Sequence, residues 1–230
     1  MDAFEAVPQQ RNIPGTTKLQ YPCSISFIFA QRSSPAAPRL LISSMKADPK
    51  KVSLRDLSQL EVSLRSEPMS WVNDFVECEG QLRLLGLLKE LGQRRYLTPY
   101  ESDVQHQLVK SIKALMNTGI GLQAILIESD SIRTIYLNFD NRRLKTKGTI
   151  LEIMAAVCLL PDGLEAVLDS LEFYKGHKGE RFKFEPILRT MEQVNVDYSV
   201  GYLSKILGEI TLIVCLDSSH VSSQCNYQRM

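Results

Sequence analysis

Apolar residues recur at helical spacing from about residue 53 onward, and one stretch breaks the amphipathic rule. Residues 150–160, Ile-Leu-Glu-Ile-Met-Ala-Ala-Val-Cys-Leu-Leu, hold ten apolar side chains in eleven before Pro161 stops the run. A surface helix needs one apolar stripe, and this one is apolar all round. It falls well short of the ~20 residues that span a bilayer, so it reads as a helix buried by protein on nearly every side. Leu144, Gly148, Leu151, Ala155 and Cys158 form one i, i+4, i+7 stripe, which leaves Ile153, Ala156 and Leu159 for a second face. Either the chain's own core covers that second face, or the small Ala156 helps to floor a groove for a partner.

The rest of the pattern is helix after helix. Ser53-Leu-Arg-Asp56 reads as a capping box, followed by Leu54, Leu57, Leu60 and Leu64. Met69 to Phe75, anchored by Trp71 and Phe75, predicts a short second helix, and Gln81 to Leu91 a third, with Leu82, Leu85 and Leu88 on one side. Gly92 to Ser102 reads as a polar linker. Asp103 to Asn117, Ile120 to Ile127 and Asp130 to Asn138 then repeat the theme. Arg142 to Leu160, Gly163 to Tyr174 and a helix around Pro186 to Glu192 repeat it again, and Asp197 to Leu207 starts a fourth unit. A period of roughly 40 residues is that of armadillo-type repeats. The expectation is an all-α, armadillo-like α-α superhelix of three repeats and part of a fourth, its long third helices stacking to leave a concave binding surface.

Proline and serine crowd the first 45 residues, which are expected to be poorly ordered, with the folded domain over 46–207 starting near Pro49. The tail, 208–230, diverges: Ile210 to Leu216 fits a strand or a helix end, and Ser218 to Met230 is polar. Neither the N-terminus nor Ser24 to Ala30 carries an apolar core long enough for a signal or a membrane span.

Composition narrows the function classes. A formal charge of +1 over 230 residues gives no global pull toward nucleic acid. Cys23, Cys78, Cys158, Cys215 and Cys225 are scattered, odd in number and without Cys-x-x-Cys spacing, as suits reduced thiols in the cytosol. His106, His177 and His220 sit in no ligand spacing, so no metal or cofactor is expected, and no nucleophile elbow or phosphate loop supports an enzyme. Two basic stretches remain. Lys175 to Lys183 reads as a solvated inter-helix loop, with contact to an acidic lipid or protein as the alternative, and Arg142, Arg143, Lys145 and Lys147 open a long helix at the end where the macrodipole disfavours cations, which fits either an acidic partner or simple solvent exposure.

Three longer strings are specific. Leu60-Glu-Val-Ser-Leu-Arg-Ser-Glu-Pro-Met-Ser-Trp-Val-Asn-Asp-Phe75, Ile112-Lys-Ala-Leu-Met-Asn117 and Leu151-Glu-Ile-Met-Ala-Ala-Val-Cys-Leu-Leu-Pro161 resemble, in order and spacing, the regulatory N-terminal region of Rho-regulated formins. Lys145-Thr-Lys-Gly and Glu180-Arg-Phe-Lys-Phe extend the likeness from about Lys46 to Asn195, nearer to the leukocyte-type and Dishevelled-associated branches than to diaphanous. The resemblance implies an armadillo-repeat third formin-homology region with a GTPase-binding segment on its N-terminal side. In such formins this region holds a C-terminal autoregulatory helix, which GTP-loaded Rho-family proteins displace to free the actin-assembling part.

Carried over by position, Val62, Arg65, Glu67, Lys113 and Asn117 match GTPase-binding positions, with Arg65 and Glu67 where diaphanous relatives have asparagines. Lys113, Asn117, Ile153, Ala156 and Leu159 match the autoregulatory groove. Residues 1–45 lack the usual Lys-Trp helical segment, and nothing after about Tyr202 matches the dimerising and actin-assembling regions. The resemblance therefore implies a truncated regulatory module, cytoplasmic and at the cytoskeleton or cell cortex, that touches actin only indirectly. The rival reading is an armadillo-type adaptor for an unrelated peptide.

Overall fold

The structure, a computed structural model, describes residues 37–45, 48–193 and 208. Among them the chain is helical throughout, with no strand, in an all-α armadillo-like arrangement. The helices are α1 (Pro38–Ser44), α2 (Leu54–Ser66), α3 (Met69–Glu77), α4 (Gly80–Gln93), α5 (Pro99–Met116), α6 (Gly119–Leu126), α7 (Ser131–Leu137), α8 (Leu144–Cys158), α9 (Gly163–Lys178) and α10 (Glu185–Gln193). Short 3-10 turns at Pro49–Lys51 and Asn138–Asp140 precede α2 and α8.

Three units of three helices follow one another: α2–α4, α5–α7 and α8–α10. The opening helices α2, α5 and α8 stack side by side, as do the closing helices α4 and α7. The sequence expectation assigned the stacking to the third helices alone. The first helices share it because their apolar stripes are as complete: Leu57, Leu60 and Leu64 on α2, Leu108, Ile112 and Leu115 on α5, and Ile150, Leu151, Met154 and Val157 on α8 are all buried.

Local chemistry fixes the helix ends. Ser53 Oγ accepts the Asp56 N–H at 3.3 Å, as its capping pattern predicts. The segment expected to be a linker up to Ser102 instead starts α5 at Pro99. There Thr98 Oγ1 accepts the Glu101 N–H at 3.2 Å, and Glu101 Oε2 accepts the Thr98 N–H at 2.8 Å. This is a complete capping box with proline at the first helical position. After α8 the chain reverses within four residues through Asp162 at φ 58°. Gly163 follows because a Cβ there would stand 1.8 Å from the Val157 carbonyl oxygen.

Two further expectations change. Pro38 to Ser44, placed among poorly ordered residues, is helix α1, and Leu41 and Met45 join the core at 5% and 1% exposure. Residues 1–36, and the calls made on them, lie outside the described residues, as do Asp197 to Leu207 and the apolar run Ile210 to Leu216. The basic stretch Lys175 to Lys183 is a loop only in its second half, since α9 continues to Lys178 and is capped by Gly179 at φ 73°.

A buried amide network ties the first two units to the third. Gln105 of α5 donates to Asn138 Oδ1, and Asn138 Nδ2 donates to the Leu88 carbonyl of α4 at 3.1 Å. Asn141 Nδ2 donates to the Ser102 carbonyl at 3.0 Å, and its Oδ1 accepts the Arg143 N–H at 2.8 Å. Each buried polar group that finds a partner this way avoids a desolvation penalty of about 1–3 kcal/mol, so the network fixes the register of α4, α5 and α8 as well as adding to stability.

Candidate functional site

Polar residues on the three stacked opening helices share one side. On α5 they are His106, Lys110 and Lys113, continued by Asn117 at its C-cap, spaced i, i+4, i+7, i+11; on α8 Lys145, Thr149 and Glu152; on α2 Glu61 and Arg65. Because α5 lies between α2 and α8, these stripes face one another across a cleft of about 590 Å³.

The charges in the cleft are largely cross-linked. Glu61, only 7% exposed, accepts from Arg65 at 3.1 Å on its own helix and from Lys110 at 3.5 Å on the next. Lys113 reaches across to Glu152. Lys145, in the first turn of α8, is exposed and has no carboxylate partner among the described residues. His106 shares a hydrogen bond of 2.8 Å between Nδ1 and Thr146 Oγ1. Burial holds its pKa below the ordinary histidine value, and Arg143 and Lys110 push the same way, so the ring is neutral at pH 7. The cleft wall thus carries four cations against two carboxylates.

The four cations that open α8 in sequence separate in space. Arg143 pairs with Asp103, Lys147 turns inward over the Phe139 ring and donates to Thr190 Oγ1 at 3.0 Å, Lys145 lines the cleft, and Arg142 is exposed and lines a separate concavity. Burial drives the Lys147 pKa down. The unfavourable dipole position is relieved by these separate partners rather than by one acidic ligand.

A second concavity of about 120 Å³ opens where α5 ends. Met116, Leu122, Ile153, Ala156, Val157 and Leu160 make it apolar, and Lys113, Asn117 and Glu152 stand at its polar side. Lys113, Asn117 and Glu152 also line the basic cleft, so one wall serves both.

Of the residues singled out in sequence, Arg65, Lys113 and Asn117 come together in the cleft, and Lys113, Asn117, Ile153 and Ala156 in the groove. Val62 is 55% exposed on α2 and Glu67 caps that helix, and neither lines the cleft. The second face of α8 divides: Ile153 is 3% exposed, Ala156 is open, and Leu159 is 69% exposed. The helix ends at Cys158, so Leu159 caps it in the open, and Leu160 lines the groove instead. Sequence reading missed Glu61, Lys110, Thr149 and Glu152 and named Lys145 only as part of a basic stretch; their signal was a polar i, i+4, i+7 stripe on α5 and α8 and an i, i+4 pair on α2.

Among the described residues no group of histidine, cysteine or carboxylate side chains is arranged to hold a metal ion, and no helix is long and apolar enough to cross a membrane.

Known proteins are similar to this sequence. Residues 16–159 match the family described as Diaphanous GTPase-binding Domain. The chain is 32% identical over 167 residues to Disheveled-associated activator of morphogenesis 1 of Homo sapiens, covering 73% of this chain and 15% of that protein. It is 29% identical over 167 residues to cytokinesis protein sepA of Emericella nidulans, covering 68% of this chain and 9% of that one. Formin-F of Dictyostelium discoideum is 26% identical over 164 residues, covering 69% and 13%. The chain thus spans a small part, 15% or less, of the length of these relatives. With the family match running across α1 to α8 and the relatives all of the formin kind, the chain belongs to the Diaphanous GTPase-binding domain family and is an N-terminal formin GTPase-binding region.

Proposed function

We propose that this chain is a regulatory binding module that takes a GTP-loaded Rho-family small GTPase at the basic cleft and a formin C-terminal autoregulatory helix in the apolar groove. It acts in the cytoplasm, at the cytoskeleton or cell cortex, and influences actin assembly only through that helix. The observation that carries this reading is the shared wall: Lys113, Asn117 and Glu152 border both concavities. Two ligands that need the same side chains compete, and competition is how a GTPase displaces an inhibitory segment.

The chemistry of each half suits its ligand. An amphipathic helix presents apolar anchors at i, i+3, i+4, which match a floor of Ile153, Ala156, Val157 and Leu160. Open, cross-linked charges on α2, α5 and α8 suit a folded protein surface, where complementarity sets the encounter rate and rejects wrong partners. Arg65 at the cleft edge is the candidate for choosing among Rho-family members, because guanidinium geometry is specific for carboxylates. No feature favours an adaptor for an unrelated peptide over this family-consistent reading.

The deciding experiment titrates the chain with Rho, Rac and Cdc42 proteins loaded with a GTP analogue or GDP, alone and with a fluorescent autoregulatory peptide bound. The reading expects association with the GTP form of one member and release of the peptide by it. Equal binding of both nucleotide states, or simultaneous binding without mutual weakening, overturns it.

A further inference from the structure

A third concavity lies away from the cleft and groove, where the segment between α4 and α5 meets the turn before α8 and the last turn of α9. It holds about 130 Å³. Its floor is the buried amide network: Ser102 and Asn141 are 4% and 1% exposed, with Ser102 Oγ donating to Asn141 Oδ1 at 3.3 Å. Four cations line it, Arg94, Arg95, Arg142 and Lys178, against one carboxylate, Asp140.

Two of the cations are already engaged. Lys178 pairs with Asp140 at 2.9 Å, and Arg94 with Glu90 and Glu101. Arg95 and Arg142 are exposed and have no carboxylate partner among the described residues, although Arg95 stacks over the Tyr96 ring at 5.5 Å. Both guanidiniums therefore flank a fixed polar pocket with their donors unused by acid. Guanidinium forks match tetrahedral oxyanions bidentately, and a phosphate monoester at neutral pH brings close to two charges and three strong acceptors. Size limits the ligand further. At ~30 Å³ per water the pocket has room for about four waters, the scale of one phosphate group and far below the ~300–1,000 Å³ of a typical small-molecule site.

We infer that Arg95 and Arg142 form a binding site for a phosphate monoester, carried either by a free small molecule or by a membrane-lipid headgroup. The site is independent of the cleft and groove: Arg142 opens toward this pocket, Lys145 toward the cleft, and the Arg143–Asp103 pair stands between those positions in the chain.

The test uses the full chain and three probes: inositol 1,4,5-trisphosphate by calorimetry, and flotation with vesicles containing either a phosphoinositide or phosphatidylserine at matched total charge. Arg95→Gln/Arg142→Gln is expected to weaken trisphosphate binding at least tenfold, whereas Arg55→Gln/Arg181→Gln, which removes the same charge from elsewhere, changes it less than twofold. Arg142→Lys keeps the charge but loses the fork and is expected to weaken binding severalfold with the fold unchanged by circular dichroism, which covers the case in which the double variant does not fold. Preferential flotation with phosphoinositide vesicles identifies the lipid source; trisphosphate binding without flotation identifies the free one. No measurable trisphosphate binding, or equal losses in the two double variants, overturns the site.

Discussion

Lys113 on α5 and Glu152 on α8 form an ion pair across two repeats, on the wall that the basic cleft and the apolar groove have in common. Both ends are partly exposed, at 39% and 18% of the side chain. Such pairs add little to folding, typically about 0–1 kcal/mol. A pair that contributes little to stability but sits where the two proposed binding surfaces meet is available for recognition by the proposed ligands.

Lys113→Ala should therefore leave stability within about 1 kcal/mol of wild type while weakening both proposed ligands. Urea denaturation and fluorescence titration of the peptide and the GTP-loaded GTPase measure the two quantities separately. If only one ligand is affected, the wall is not shared in function and the competition reading fails.

The core prediction follows from burial. Leu151 is 1% exposed in the core of α8, so Leu151→Ala should cost roughly 2–5 kcal/mol through lost burial and a residual cavity. Leu159, eight residues on and 69% exposed, should change stability by no more than about 0.5 kcal/mol when cut to alanine. Thermal denaturation of the two variants side by side checks the assignment, and similar midpoints would place the buried face elsewhere.

Acid sensitivity is expected at the start of α5. The Thr98 N–H and hydroxyl bonds and the nearby Arg94 hold the Glu101 carboxyl below the usual carboxylate range, against the opposing effect of burial. Its folded-state pKa is depressed, so its contribution is complete above the unfolded value near ~4.3 and is lost as pH falls through the lower folded value. Stability measured by urea titration should thus drop on acidification below that point, and Glu101→Gln should flatten this part of the profile. Thr98→Ala, which removes the cap, should cost about 1 kcal/mol at neutral pH.

The long amphipathic helices and the unusual apolar run of α8 were legible because periodicity accumulates over many residues, and the three motif strings identified the family. Boundaries were less legible. Thr98-Pro-Tyr-Glu101 carries a full capping signature, yet Arg94, Arg95 and Tyr96 before it read as linker, and only the tertiary pairing of Glu101 with Arg94 shows the turn as half-buried. Helix α1 was hidden by its proline and serine neighbours, although Leu41 and Met45 supply the apolar pair that docks it. The cleft was legible least of all. Glu61 lies 49 residues before Lys110 and Lys110 lies 35 before Lys145, with no local spacing to connect them, and they meet only because three repeats stack.

The sharpest test of the groove is Ala156→Asp. Ala156 is exposed on α8 while its neighbours Ala155 and Val157 are 7% and 1% exposed, so a carboxylate at 156 can reach solvent in the free protein and should shift stability by no more than about 0.5 kcal/mol. In the complex the same carboxylate would be pressed between an apolar helix face and Ile153, with no cation among the described groove residues to neutralise it except Lys113, which Glu152 already holds. Burying an unpaired charge in this way costs on the order of 3–5 kcal/mol, so peptide affinity should fall by more than a hundredfold. Fluorescence titration of a formin autoregulatory peptide, with circular dichroism on both proteins, reads the two effects apart. A variant that stays folded and binds the peptide at wild-type strength would move the groove off this face of α8, and one that unfolds would show that Ala156 belongs to the core after all.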